Sequence, residues 1–255
     1  MLNNIFDSHA HYNDNKFDAN RAELLNSLNS NGIDKVINVG TNLKESYESV
    51  ELAQKYSYIF SSIGVHPYDA ESLPDDYLLT LEELSKQPKV VAIGEIGLDY
   101  FNNSISRELQ KKIFNQQLEL AHELKMPVII HTRDADQDTI EILKKFKLNG
   151  VVHCFSSSPE IAKILLNMNF YLGFTGVITF KNNVKQLNTI SIMPIDKILI
   201  ETDCPYMAPE PYRGKVCNSS MLPFVIEKIS QIKNEPAQKI ADITNLNAKT
   251  LFGIK

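Results

Sequence analysis

Short apolar runs alternate with longer amphipathic stretches along the whole chain. Eight runs are rich in Val, Ile and Phe and too short for helices, which predicts strands over residues 4–8, 35–39, 59–65, 90–96, 127–130, 150–152, 170–174 and 198–202. Between them the apolar positions take helical spacing. Over 17–31, Ala22, Leu25 and Leu28 recur every three residues, and over 106–124, Leu109, Ile113, Leu118 and Ala121 form the inward stripe. Further helices are expected over 43–56, 75–87, 136–146, 159–168 and 183–190, and two more, 221–233 and 236–251, follow the last strand.

Strands alternating with helices call for a parallel sheet. The count of eight, and the lack of a GxGxxG or GxxxxGK[ST] after the first strand, favour a closed barrel over an open doubly wound sheet. The expected fold is α/β: a single (β/α)8 TIM barrel with extra C-terminal helices, one domain spanning 1–255. The length of 255 residues suits one such barrel.

Composition narrows the function. The net charge of −5 excludes a basic protein that coats nucleic acid, but not a small anion site or a metal-assisted one. Cys154, Cys204 and Cys217 make an odd count without CxxC, so a reducing compartment is expected. The first residues carry no basic, apolar leader pattern, and no apolar run reaches the ~18 residues of a membrane span. The expectation is a cytoplasmic protein with no membrane association and no obligate protein partner. Alternation turns Cys154 and Cys204 away from the site as packed thiols, whereas Cys217, in a loop, is expected to be exposed and oxidisable.

The histidines carry the chemistry. Of six, five fall at or just past a strand's C-terminal end: His9 and His11 (FDSHAH), His66 (GVHP), His131 (VIIHT) and His153 (VVHCF). His122 lies inside a helix and reads as a helix-face residue. Glu95 ends the fourth strand, with Gly94 and Gly97 expected to leave space around its carboxylate; Glu201 and Asp203 end the eighth. In a barrel that rim holds the active site. Period-two alternation puts His9 with His11 on one face, and Glu201 with Asp203. Imidazoles with carboxylates suit borderline divalent metals, and the set exceeds one tetrahedral shell, so two metals are expected.

DSHAHYND, GVHPYDA, AIGEIGLDY, VIIHTRDA, VVHCFSS, LGFTGVITFKN, ILIETDCPYMAP and PYRGK, in this order, resemble the TatD family of metal-dependent hydrolases, a branch of the amidohydrolase-like barrels. The resemblance implies that His9 and His11 bind one metal and His131 and His153 a second, with Glu95 bridging. Asp203 would bind metal and handle the proton, and His66 and Glu201 would be further catalytic positions. It implies two divalent ions drawn from Zn, Mn, Mg, Ni, Co or Fe. The implied activity is phosphodiester hydrolysis that trims DNA from a 3′ end, with a single-stranded nucleic-acid end or a small phosphate or ester as partner. Two departures bear on substrate choice: Ser157 where the family often has Gly, and the RGKVCNSS segment from Arg213 to Ser220.

Arg133, Arg213, Lys181 and Lys215 lie on the same rim and suit phosphate, and Tyr206, Tyr212 and Phe155 are candidates for stacking on bases. Arg133, Tyr206 and Arg213 are the substrate-binding expectation. The competing reading is an ester or amide hydrolase on the same metals, such as a D-aminoacyl-tRNA deacylase, because fold does not fix substrate. A non-catalytic metal-binding barrel fits less well with so complete a ligand set.

Overall fold

The computed structural model of the chain describes residues 1–101 and 104–255. Its strands are β1 (Ile5–Ala10), β2 (Ile33–Val39), β3 (Ile59–Ile63), β4 (Val90–Asp99), β5 (Val128–Arg133), β6 (Gly150–Val152), β7 (Tyr171–Phe174) and β8 (Ile198–Ile200). They lie in one sheet in chain order, and the pairs β3–β4, β4–β5, β5–β6 and β7–β8 are parallel. A parallel bridge between Ala10 and Cys204 brings the segment after β8 back to the end of β1. A sheet whose last strand returns to its first is closed, so this is the expected (β/α)8 barrel.

The helices are α1 (Arg21–Leu28), α2 (Leu43–Lys55), α3 (Tyr77–Ser85), α4 (Arg107–Leu124), α5 (Asp136–Leu143), α6 (Pro159–Asn167), α7 (Val184–Ile192), α8 (Leu222–Lys233) and α9 (Ala237–Phe252). Among the described residues no helix is long and apolar enough to cross a membrane.

By contact density the chain resolves into two compact units. One comprises Met1–Ile37, Cys154–Asn167 and Tyr171–Lys255; the other comprises Asn38–His153 and Met168–Phe170. In the first, α9 packs on β1 and β8, with the Phe6 and Phe252 rings 6.4 Å apart. Lys249 and Asn245 of α9 bind the Asp34 carboxylate at 2.9 and 3.1 Å. In the second, α4 lies along β4 and buries Ile113, Phe114, Leu118 and Ala121.

Three expectations need correction. The first helix is shorter than its pattern suggests, with 3-10 turns at Asn15–Phe17 and Asn29–Asn31 on either side of α1. Short polar side chains there compete with helical bonding, and Ala22 is exposed rather than inward. The fourth strand continues three residues past Ile96, because β5 pairs with it as far as Asp99 against Arg133. Gly94 and Gly97 also do something other than clear space around Glu95. A Cβ on Gly94 would sit 2.5 Å from the Ile129 Cβ, and one on Gly97 would sit 1.9 Å from the His131 carbonyl oxygen. Both glycines let β4 and β5 approach closely. Gly97 also has φ +148°, a conformation L side chains rarely adopt. Gly97→Ala is therefore expected to cost about 3 kcal/mol or more, read as a lowered denaturant midpoint. A midpoint within error of wild type would contradict this.

Candidate metal centre

In the first unit, β1 delivers His9 and the turn after it delivers His11. Their Nε2 atoms are 3.0 Å apart. Asp203, just beyond β8, brings Oδ1 to 3.3 Å from His11 Nε2 and 3.8 Å from His9 Nε2. Two nitrogens each about 2.1 Å from one ion stand roughly 3–3.4 Å apart, so this is the spacing of ligands converging on a divalent cation. Asp203 is held by its own backbone: its N–H donates to the His9 carbonyl at 2.9 Å, and its φ of +55° is left-handed. A non-glycine residue in that region carries strain that the surrounding bonds must hold.

Asp7 supports this group. It is fully buried; Oδ1 accepts from the Thr202 N–H at 2.9 Å, and Oδ2 accepts from Thr202 Oγ1 at 2.7 Å and Ser219 Oγ at 2.6 Å. Burial raises its pKa to about 6, against the lowering effect of these donors. It ties the strand bearing His9 to the segment leading to Asp203. Glu201 is also fully buried; it accepts from Ser8 Oγ at 3.3 Å and from the Cys154 N–H. It thus holds the turn after β6.

In the second unit a single carboxylate oxygen gathers the imidazoles. Glu95 Oε1 lies 2.8 Å from His131 Nδ1, 2.9 Å from His153 Nε2 and 3.7 Å from His66 Nε2. His131 Nδ1 and His153 Nε2 are 3.1 Å apart. On its other side, His131 Nε2 is 3.0 Å from Asp99 Oδ2. An ionised carboxylate only accepts, so Asp99 fixes the proton on Nε2 and turns Nδ1 toward Glu95. Nδ1 can then face a carboxylate oxygen at 2.8 Å only through a proton or a cation. Without an ion the ring takes the proton: burial alone would lower its pKa, but the bonds to Asp99 and Glu95 raise it to about 9. The donor set fits a divalent ion in place of that proton.

His66 plays a different part. Its Nδ1 accepts from the Tyr68 N–H at 3.2 Å, which leaves the proton on Nε2, toward Glu95. Burial pushes its pKa down to about 3, so it is a neutral donor.

Asp99 escapes the sequence reading. It is four residues beyond Glu95 on the same strand, where period two puts it on the same face, but it lies past residue 96, where the sequence reading ends the strand. Gln110 and Gln117 of α4 are equally hidden. The Gln110 side chain accepts from the Asp99 N–H at 2.8 Å and donates to its carbonyl at 2.9 Å. Gln117 does the same for Val65, beside His66, at 2.8 and 3.0 Å. Each amide acts as a strand partner and fixes the backbone beneath a site residue. Asp99→Ala is expected to weaken metal binding about 10–100-fold, measured by chelator competition. Unchanged affinity would remove Asp99 from the support of His131.

The rim residues divide. Arg133 is exposed and stacks 3.6 Å from the Phe101 ring centroid, and Arg213 stacks 4.5 Å from that of Phe180. Tyr206 is 47% exposed, with Lys16 over its ring and its hydroxyl on Asp14. Tyr212 is exposed and edge-on to Phe224, and Lys181 and Lys215 are exposed. Phe155 is 1% exposed and packs edge-on to Phe174, so it is core rather than a base platform. Cys217 is likewise 1% exposed rather than open to oxidation; its loop folds inward, its N–H bonds to the Pro205 carbonyl, and burial pushes its thiol pKa up. Cys204 is buried as expected, Cys154 is partly buried, and His122 is an exposed helix residue.

The chain has extensive relatives. A family profile described as TatD related DNase matches residues 6–253. The uncharacterized metal-dependent hydrolase YabD of Bacillus subtilis is 40% identical over 98% of this chain and 99% of its own length. The 3′-5′ ssDNA/RNA exonuclease TatD of Escherichia coli K12 is 34% identical over the same shares. The crystal structure of YJJV, a TatD homolog from Escherichia coli K12, superposes with a TM-score of 0.94 at 29% identity over all of both chains. A match of this extent makes the chain a member of the TatD family of metal-dependent hydrolases.

Proposed function

We propose that this enzyme removes nucleotides from the 3′ end of single-stranded DNA, using one divalent ion at each of the two histidine–carboxylate groups. The observation that carries the reading is the ligand spacing within each group, on a chain whose relatives include a named 3′-5′ ssDNA/RNA exonuclease.

When bound, the ions would polarise a phosphoryl oxygen and ease deprotonation of water near neutral pH. The chain supplies the rest. Asp203 is part-exposed and accepts the proton of the attacking water. His66, neutral and protonated on Nε2, keeps that N–H on the Glu95 side and can offer a hydrogen bond without giving up the proton. Arg133, whose guanidinium carbon lies 3.6 Å from the Phe101 ring centroid, grips the phosphate.

The test is a 5′-labelled single strand incubated with protein loaded with Zn²⁺, Mn²⁺ or Mg²⁺. A ladder shortening from the 3′ end supports the reading. No shortening with any metal, together with Glu95-dependent release of the amino acid from D-aminoacyl-tRNA, would replace it with the deacylase.

A further inference from the structure

The loops after β6, β7 and β8 enclose an open cleft of about 840 Å³, within the size range of ligand sites. Its lining inverts the charge of the chain. Lys181, Lys185 and Arg213 face it against one carboxylate, Glu210, on a protein of net charge −5. Among the described residues none of the three cations has a carboxylate partner, and all are exposed. Unpaired cations gathered on one wall attract a polyanion rather than stabilise the fold.

The wall is preformed. The Glu210 N–H donates to Thr179 Oγ1 at 2.8 Å, and Asn183 Nδ2 donates to the Val177 carbonyl at 2.9 Å. Gly176 lies so close to the 207–209 segment that a Cβ would meet the Met207 carbonyl oxygen at 2.2 Å. That segment is anchored in turn to the candidate metal ligand, because the Tyr206 N–H donates to the Asp203 carbonyl at 2.9 Å. The cleft therefore opens from the same strand ends that carry Asp203. Arg213 lies over Phe180, its guanidinium carbon 4.5 Å from the ring centroid, and its fork of donors suits phosphate.

We infer that this cleft is a phosphate track for the single strand trailing from the scissile end, with Lys181 and Lys185 each neutralising one phosphate and Arg213 a third. The inference rests on the nuclease reading and adds a subsite remote from bond cleavage. Lysines are point charges, so the track reads backbone rather than sequence.

The experiment compares kcat/KM for a dinucleotide and an octanucleotide over a range of KCl concentrations. Wild type is expected to prefer the octamer. Lys181→Ala/Lys185→Ala should lower the octamer-to-dinucleotide ratio about tenfold and flatten the log–log salt slope by about 1.4, two contacts at ~0.7 each. Lys→Arg at both positions should restore ratio and slope. A folding defect would lower both substrates together and leave the ratio intact. An unchanged ratio and slope in the alanine variant, with the octamer still degraded, overturns the track alone. Failure of wild type to cleave either substrate overturns the nuclease reading, and the track with it.

Discussion

Glu95→Gln should lower turnover about 10³-fold, a loss of ~4 kcal/mol in transition-state stabilisation, while the protein stays folded. The expectation follows from what one oxygen does. Glu95 Oε1 stands within 2.9 Å of nitrogens on both His131 and His153. Asp99 has already committed the far side of His131 as a donor, so Nδ1 is the nitrogen left to take a proton or a cation. An anionic oxygen and two imidazole nitrogens at this spacing describe a cation's shell. The amide keeps the shape but removes the charge and turns either a neutral oxygen or an N–H toward those nitrogens. Metal content should drop alongside turnover, measured by elemental analysis after gel filtration. Near-wild-type turnover at full metal content would reject Glu95 as a ligand. A collapsed melting temperature would instead assign it a structural part.

The candidate site histidines were legible in the sequence because histidine is scarce there and strand ends are recognisable. His9, His11, His66, His131 and His153 each follow an apolar run, and period two places His9 beside His11, as their 3.0 Å approach requires. The supporting residues were not legible, for a physical reason. Asp7, Asp99, Gln110 and Gln117 are residue types that usually face water. What makes them functional is a partner distant in the chain: Ser219 for Asp7, His131 for Asp99, Val65 for Gln117. No local pattern encodes that pairing. The barrel was legible from eight β-rich runs, yet its rim was less so. Phe155 and Cys217 sit in segments without periodicity, and only the folded loops bury them. The extension of β4 was hidden because glycines that permit close strand contact also read as turn residues.

Asp203 gives the sharpest separation between holding a metal and moving a proton. Its Oδ1 lies 3.3 Å from His11 Nε2, its backbone is pinned to His9, and its side chain keeps a small exposed edge, unlike the sealed His9. A ligand with an exposed edge can also accept a proton from water. Asp203→Asn retains an oxygen able to ligate but lacks a basic site. It should therefore keep most of its bound metal while kcat falls about 10²–10⁴-fold, the usual contribution of general base catalysis. His9→Ala should do the reverse in order, losing metal first and turnover as a consequence, with activity partly recovered at high metal concentration. Excess metal should not recover the Asn variant, because what it lacks is a proton acceptor. If excess metal restores Asp203→Asn to within tenfold of wild type, Asp203 is a ligand only. The proton must then leave through a group other than Asp203.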